Sequence, residues 1–168
     1  MAVGDILLFP PAARTGQRAL LGPKDIESQD SAEPIFTVGG LYENAGKVYM
    51  YVKFDNGAGN VAAVRGQACY VDTAMSWSPH TGVATVTSDV SDAVPANTLA
   101  ICVGVFVNAI TDGNYGFIQV AGVHVDALNS AAAAGDRLIV TTTDGSLDNA
   151  TAGGDIVEYV GIALEIPA

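Results

Sequence analysis

Hydrophobic and polar residues alternate most regularly in residues 47–54, Lys-Val-Tyr-Met-Tyr-Val-Lys-Phe. One face of this segment carries valine, methionine and phenylalanine, and the other carries lysine and tyrosine, which is the pattern of a half-buried strand. The segment leads into Asp55-Asn56-Gly57, whose Asn-Gly step favours positive φ, and then into the apolar residues 61–64. The pattern therefore predicts a β-hairpin over residues 47–64.

Further apolar segments of strand length are bounded by Gly, Pro, Asn or Asp. They are residues 4–9, 35–38, 68–71, 83–87, 99–107, 115–120, 123–128, 137–142 and 156–164. Their close spacing, without amphipathic helices between them, predicts an all-β fold, either an antiparallel β-sandwich or a small β-barrel. Residues 99–107 and 156–164 are almost continuously apolar, so we expect central strands covered on both sides, one cover being a sheet or a subunit interface.

Residues 10–34 interrupt the strand pattern. We interpret them as an extended N-terminal arm or long loop on a single domain, residues 1–168, because connections of this length are usually functional or flexible. Three of the seven basic residues lie in this segment: Arg14, Arg18 and Lys24. We expect these three side chains to contact acidic groups on the surface of another protein subunit.

The chain carries a formal net charge of −11 and has a pI near 4.2. After residue 65 only Arg137 opposes eleven acidic residues. Nucleic acids and anionic membranes would be repelled, so neither is an expected partner. No segment resembles a secretory signal, and no apolar run approaches the roughly 20 residues that cross a bilayer. We expect a protein made in the cytoplasm, with Cys69 and Cys102 reduced, although a bridge between them depends on a Cα separation that the sequence does not give.

No residue pattern marks a metal or cofactor site. Residues 57–62 match the dinucleotide-binding pattern G-x-G-x-x-A, but a β-branched segment follows instead of the helix that would receive a pyrophosphate. The candidate zinc ligands lie 11 to 22 residues apart, without the close pair typical of zinc sites: Cys69, His80, Cys102 and His124. We interpret His124 as a strand residue on a polar face. Asp144, Asp148 and Asp155 lack the spacing of a calcium loop, and turn positions explain them.

Residues 113–122, Gly-Asn-Tyr-Gly-Phe-Ile-Gln-Val-Ala-Gly, combine a turn, a strand and a second glycine bend. An Ala-rich loop with Gly135-Asp136 follows, and then a strand containing Val-Gly-Ile-Ala at 160–163. In this order the segments resemble head proteins of tailed bacteriophages, over residues 99–165. The residues that carry the resemblance are Gly113, Tyr115, Gly116, Gln119, Gly122, Gly135, Asp136 and Gly161.

The resemblance implies a capsid cement, or decoration, protein. Such a virion protein is a small β-rich subunit, often a homotrimer, that binds the major capsid protein on the outer surface of the head. It is assembled in the host cytoplasm and acts by adhesion, so we expect no catalytic residue, metal or cofactor. Two alternatives stay open: a β-sandwich module that binds carbohydrate or a host surface on a virion fibre or tail, and a hydrolase whose site is assembled from distant strands.

Overall fold

The computed structural model describes residues 7–8, 22–72, 77–96, 100–128, 133–149 and 161–162. Strands dominate these ranges, and the α-helix among them has five residues. The elements are β1 (Leu7–Leu8), α1 (Pro23–Glu27), β2 (Leu41–Asn44), β3 (Lys47–Phe54), β4 (Ala68–Val71), β5 (Thr85–Thr87), β6 (Cys102–Phe106), β7 (Tyr115–Ala121), β8 (Arg137–Val140), β9 (Leu147–Asn149) and β10 (Gly161–Ile162). Short 3-10 turns cover Gly57–Gly59 and Pro79–Thr81.

Five strands close into a small barrel. The order around the barrel is β3, β5, β4, β6 and β7, and β7 pairs back onto β3. Neighbouring strands are antiparallel except β3 and β5, which run parallel. Closure is possible because β3 is long: β7 follows one edge, while the other edge pairs first with β2 and then with β5. The predicted all-β class is confirmed, and the barrel is the form it takes.

The barrel interior is filled by side chains from all five strands. Phe54 and Phe106 meet edge to face, with ring centroids 5.3 Å apart. Around them lie fully buried aliphatic residues, among them Val52, Val86 and Ile118. Each such side chain contributes about 1.5–3 kcal/mol by leaving water, so this cluster is the main source of the barrel's stability.

The other face of β3 is also buried, which corrects the prediction of a half-buried strand. Tyr49 and Tyr51 are 6% and 0% exposed, beneath an aromatic layer on the outside of the barrel. In this layer the Phe36 ring lies 5.2 Å from the Tyr51 ring and 5.3 Å from the Phe117 ring. Tyrosine suits either face of a sheet, because its ring is apolar and its hydroxyl is polar. The alternation therefore identified the inner face of β3 correctly, but the tyrosines of the other face are buried as well.

Residues 22–34, the second half of the predicted arm, lie against the barrel. Ile26 of α1 is fully buried in the aromatic layer. The backbones of Ser31 and Tyr115 exchange two hydrogen bonds, with N···O distances of 3.1 and 2.8 Å. The Asp30 carboxylate accepts hydrogen bonds from Thr111 and Asn114. Residues 22–34 therefore form a loop with one short helix that packs on the barrel, and residues 10–21 lie outside the described part of the chain.

The predicted hairpin over residues 47–64 is wrong. After β3 the chain makes a 3-10 turn, and Ala63 pairs with Ile110 in an isolated bridge. The hairpin that β3 does form is with β2, through a two-residue turn at Ala45 and Gly46 with φ values of 50° and 77°. Positive φ at both positions is the requirement of a type I′ turn, and alanine rarely adopts it, so no turn was predicted at these residues.

Two further predicted strands are absent from the described structure. Residues 35–38 and 123–128 consist of bends, turns and irregular backbone. The strands predicted at 68–71, 83–87, 99–107, 115–120 and 137–142 are confirmed, the first at its predicted bounds and the others with shifted ends. Of residues 156–164 only Gly161 and Ile162 are described, and they form β10.

A second sheet covers another side of the barrel. Its strand order is β10, β8, β9, and all pairs are antiparallel. Leu138, Val140 and Leu147 from this sheet pack on Ala68 and Tyr70 of β4. The outward-facing residues of β4 are therefore buried, which explains why residues 68–71 are buried without interruption.

Candidate interaction surface

Five exposed aliphatic side chains lie on two neighbouring segments of the surface, residues 61–66 and 123–128. The backbone N–H of Leu128 donates to the Gly66 carbonyl at 2.8 Å, which joins the two segments. Val125 is 73% exposed and is the most exposed of the group. We name these five residues the aliphatic ridge: Val61, Val64, Val123, Val125 and Leu128.

Glycine brings the two segments of the ridge together. Gly66 has a φ of 89°, and a Cβ at this position would collide with the backbone carbonyl oxygen of Asp126. Gly122, with a φ of 90°, begins the second segment, and a Cβ there would lie 2.8 Å from the Gly46 carbonyl oxygen. Both positions therefore require glycine for conformation and for space.

Arg65 connects the ridge to α1. Its Nε lies 2.7 Å from Oδ2 of Asp126, and its guanidinium lies 4.0 Å from the Glu27 carboxylate. All three side chains are substantially exposed, so each pair contributes at most about 1 kcal/mol. The Arg65–Asp126 pair joins residues 61–66 to residues 123–128, and the Arg65–Glu27 pair joins the ridge to α1.

His124 lies half-buried in the second segment of the ridge. It follows β7 in irregular backbone, so its predicted place on a polar strand face is wrong. Its Nδ1 accepts a hydrogen bond from the backbone N–H of Asp126 at 3.2 Å. Burial lowers the pKa of His124, and the positive charges of Arg65 and Lys47 lower it further, while Asp126 and a hydrogen bond to the Phe106 backbone oppose the shift. The neutral ring is the form that this site favours.

The predicted contact residues of the arm lie almost wholly outside what the structure describes. Arg14 and Arg18 fall in residues 9–21, which are not described. Lys24 belongs to α1, and only its backbone is described.

The glycines of the phage-like motif occupy positions where the backbone requires them. Gly113 and Gly135 have φ values of 83° and 91° with open space around them. Gly116 lies so close to residue 29 that a Cβ would be 2.7 Å from the Gln29 carbonyl oxygen. With Gly122, these residues shape turns and close backbone contacts.

The other motif residues also serve the fold. Tyr115 stacks on Tyr51, with ring centroids 6.1 Å apart. Gln119 is buried on β7 and is paired with Val105 across the sheet. Asp136 accepts a hydrogen bond from the Ala133 N–H at 2.8 Å, and Gly161 pairs with Leu138 of β8. The motif thus builds the barrel and the second sheet, and Val123 of the ridge directly follows Gly122 of the motif.

The residues considered for metal binding lie apart from one another or make hydrogen bonds within the protein. Within the described ranges no three His, Cys, Asp or Glu side chains are placed to hold one metal ion. Cys69 and Cys102 lie on adjacent strands and are not joined by a disulfide, and burial raises the pKa of the Cys69 thiol well above its ordinary value. Asp144 lies in a turn and accepts the Val90 N–H, as predicted. Asp148 was predicted to lie in a turn but belongs to β9, where it pairs with Ile139, and Asp155 lies outside the described chain.

A surface groove of about 280 Å³ lies where β6, β7 and β9 approach one another. Its walls are formed by residues 102–105, 119–122, His124 and Leu147. Residues 102–105 of β6 are half-buried, so this strand is central in the sheet but the described part of the chain does not fully cover both of its faces. A subunit interface as the second cover stays a prediction. Apart from glycine, the side chains in its walls are aliphatic except for Cys102, Gln119 and His124.

The chain matches no protein-family model, and comparisons with curated proteins and with solved structures find no match. Among the described residues no helix has the length and apolar character needed to span a bilayer.

Proposed function

We propose that this protein is a structural subunit of a tailed-bacteriophage virion, which binds the outer surface of the head and stabilises the capsid by bridging capsid subunits. The observation that carries this proposal is the aliphatic ridge: five exposed aliphatic side chains on two segments that glycine and Arg65 hold together. Exposed aliphatic side chains on adjoining segments are candidates for a protein interaction site, because exposed apolar patches mark such sites. The resemblance of residues 99–165 to phage head proteins suggests which partner to test first.

The energetics of the ridge suit a repeated, adhesive contact. Each aliphatic side chain that becomes fully buried contributes about 1.5–3 kcal/mol. Part of this gain is lost to the cost of association and to repulsion between acidic proteins. A homotrimer, which we include in the proposal, would repeat the contact and gain avidity through effective concentration.

The test is binding to capsids of the encoding phage that were assembled without this protein. We expect Val125→Asp to reduce occupancy at least tenfold, because an aspartate cannot be buried in an apolar contact without losing its hydration. The matched control is Ile35→Asp, since Ile35 is also exposed, at 57%, and lies outside the ridge. Unchanged occupancy of the Val125→Asp variant would refute the role of the ridge.

The arm residues need a separate experiment. Deleting residues 10–34 would remove buried Ile26 and the backbone pairing of Ser31, so loss of binding could reflect unfolding. We therefore propose the double substitution Arg14→Glu and Arg18→Glu, with the barrel sequence unchanged. It should weaken capsid binding most at low salt, because charge contacts are screened as salt rises. Equal binding of the variant and the unchanged protein at low salt would remove these residues from the proposed interface.

The same purified protein can be screened on a glycan array. Specific sugar binding combined with no capsid binding would favour a carbohydrate-binding module on a fibre or tail over the cement function.

A further inference from the structure

The segment that carries three of the ridge residues contains a hydrogen bond that requires a neutral histidine. In residues 122–128, Nδ1 of His124 accepts the Asp126 backbone N–H at 3.2 Å. An imidazole nitrogen can accept a hydrogen bond only while it carries no proton. The contact therefore exists in the neutral form of the ring and is absent in the imidazolium form.

The surroundings of His124 make protonation unfavourable in the observed conformation. A proton on Nδ1 would point at the Asp126 N–H, so two donors would face each other. The half-buried cation would also lie near Arg65, from the adjoining segment, and near Lys47, at the start of β3. Two groups favour the cation: the Phe106 backbone, at the end of β6, and the Asp126 carboxylate. The latter is already bound to Arg65, with an Nε–Oδ2 distance of 2.7 Å.

We propose that His124 is a pH-sensitive latch: the neutral ring, which is hydrogen-bonded to the Phe106 backbone of the barrel, closes the turn of residues 124–126, and its protonation opens this turn and frees residues 122–128. The release changes how Val123, Val125 and Leu128 are presented. The consequence for capsid binding rests on the proposed function, whereas the latch is a property of the isolated protein.

Proton linkage gives the size of the effect. In the released segment His124 is solvated and titrates near its ordinary pKa of 6.5, while in the latched segment its pKa is lower. Between these two pKa values only the released form binds the proton. The equilibrium constant for release therefore rises about tenfold for each pH unit below 6.5, until the lower pKa is reached.

The test is hydrogen–deuterium exchange of the whole protein between pH 7.5 and 5.0, corrected for intrinsic exchange. We expect amides of residues 122–128 to lose protection on acidification in step with the His124 titration followed by NMR. Amides of β3 serve as the internal control and should stay protected, which separates local release from unfolding.

Two variants make the result decisive. His124→Ala removes the acceptor, so residues 122–128 should exchange rapidly at both pH values. His124→Asn keeps an acceptor oxygen that does not titrate, so its protection should not change with pH. The latch is refuted if wild-type protection is the same at pH 7.5 and 5.0, or if either variant shows the wild-type pH dependence. Because no capsid is present, a failed capsid-binding test leaves this result unaffected.

Discussion

The barrel interior and the aliphatic ridge are built from the same kinds of side chain, but those of the interior are buried and those of the ridge are exposed to solvent. Val52 and Val86 are completely buried, whereas Val125 is 73% exposed. The interior valines belong to strands with partners on both edges. Val123 and Val125 also alternate with polar residues, but no strand pairs with their segment in the described structure. Apolar character alone thus does not predict burial in this chain, and the pairing of the surrounding strands separates these two groups of valines.

The largest expected difference between the two regions is in stability. Phe106→Ala should lower the free energy of unfolding by about 3–5 kcal/mol, because it leaves a cavity beside Phe54 in the barrel. Val125→Ala should change it by no more than about 0.5 kcal/mol, since the side chain is already in water. Urea denaturation of both variants measures the difference. Similar losses in the two variants would show that the ridge is part of the folded core.

The next effect concerns the glycine that joins the ridge segments. Gly66→Ala combines a positive φ with a collision against the Asp126 carbonyl, and should cost about 1–3 kcal/mol. Gly135→Ala is the matched control, because Gly135 has a φ of 91° and nothing within 4 Å of the added Cβ. Thermal unfolding of both variants separates the collision from the backbone strain. Equal losses would mean that the close approach of residue 126 contributes nothing.

A smaller effect is expected from the charge state of His124. A histidine whose pKa is lowered by folding adds no pH dependence well above 6.5, and it destabilises the fold as pH falls below that value. The free energy of unfolding should therefore decrease more between pH 7.5 and 5.0 in the wild type than in His124→Asn. Denaturant titrations at the two pH values test this. A larger decrease in the variant would reverse the sign and contradict the burial of a neutral ring.

The smallest expected effect lies on the acidic surface. Burial raises the pKa of Asp92, and the carboxylates of Asp89, Asp55 and Asp144 add to the shift. Asp92→Asn removes this repulsion and should stabilise the protein at pH 7 by up to about 0.5 kcal/mol. The gain should vanish at low pH, where the Asp92 carboxyl of the wild type is protonated. Destabilisation at pH 7 would show that Asp92 is engaged in a favourable contact instead.

The sequence predicts those parts of the fold that depend on local patterns. Residues 47–54 and 68–71 form β3 and β4 at the predicted bounds because their apolar character is continuous or strictly alternating. β9 was missed because Leu147–Asn149 contains a single apolar residue, and it pairs with β8 through its backbone. Ile26 was missed for a similar reason, since it is one apolar residue within a polar segment.

The candidate surface could not be predicted, because it depends on contacts between distant residues. The valines of residues 123–128 alternate as they would in a strand, and their exposure follows from the absence of a pairing partner in the described structure. The approach of Asp126 to Gly66 joins positions 60 residues apart. The glycines of the phage-like motif were recognisable in the sequence, but their role in turns and close contacts required coordinates.

The pairing of β3 with β7 has a consequence for synthesis on the ribosome. Lys53 pairs with Tyr115, so the barrel cannot close until β7 has left the exit tunnel. At roughly 5–20 residues per second, translating the intervening segment takes about 3–12 s. During that interval Tyr49, Tyr51 and Phe54 lack the strand that later covers them. We therefore expect nascent chains arrested before residue 115 to be protease-sensitive and to recruit chaperones, and chains arrested well beyond residue 121 to resist cleavage within β3.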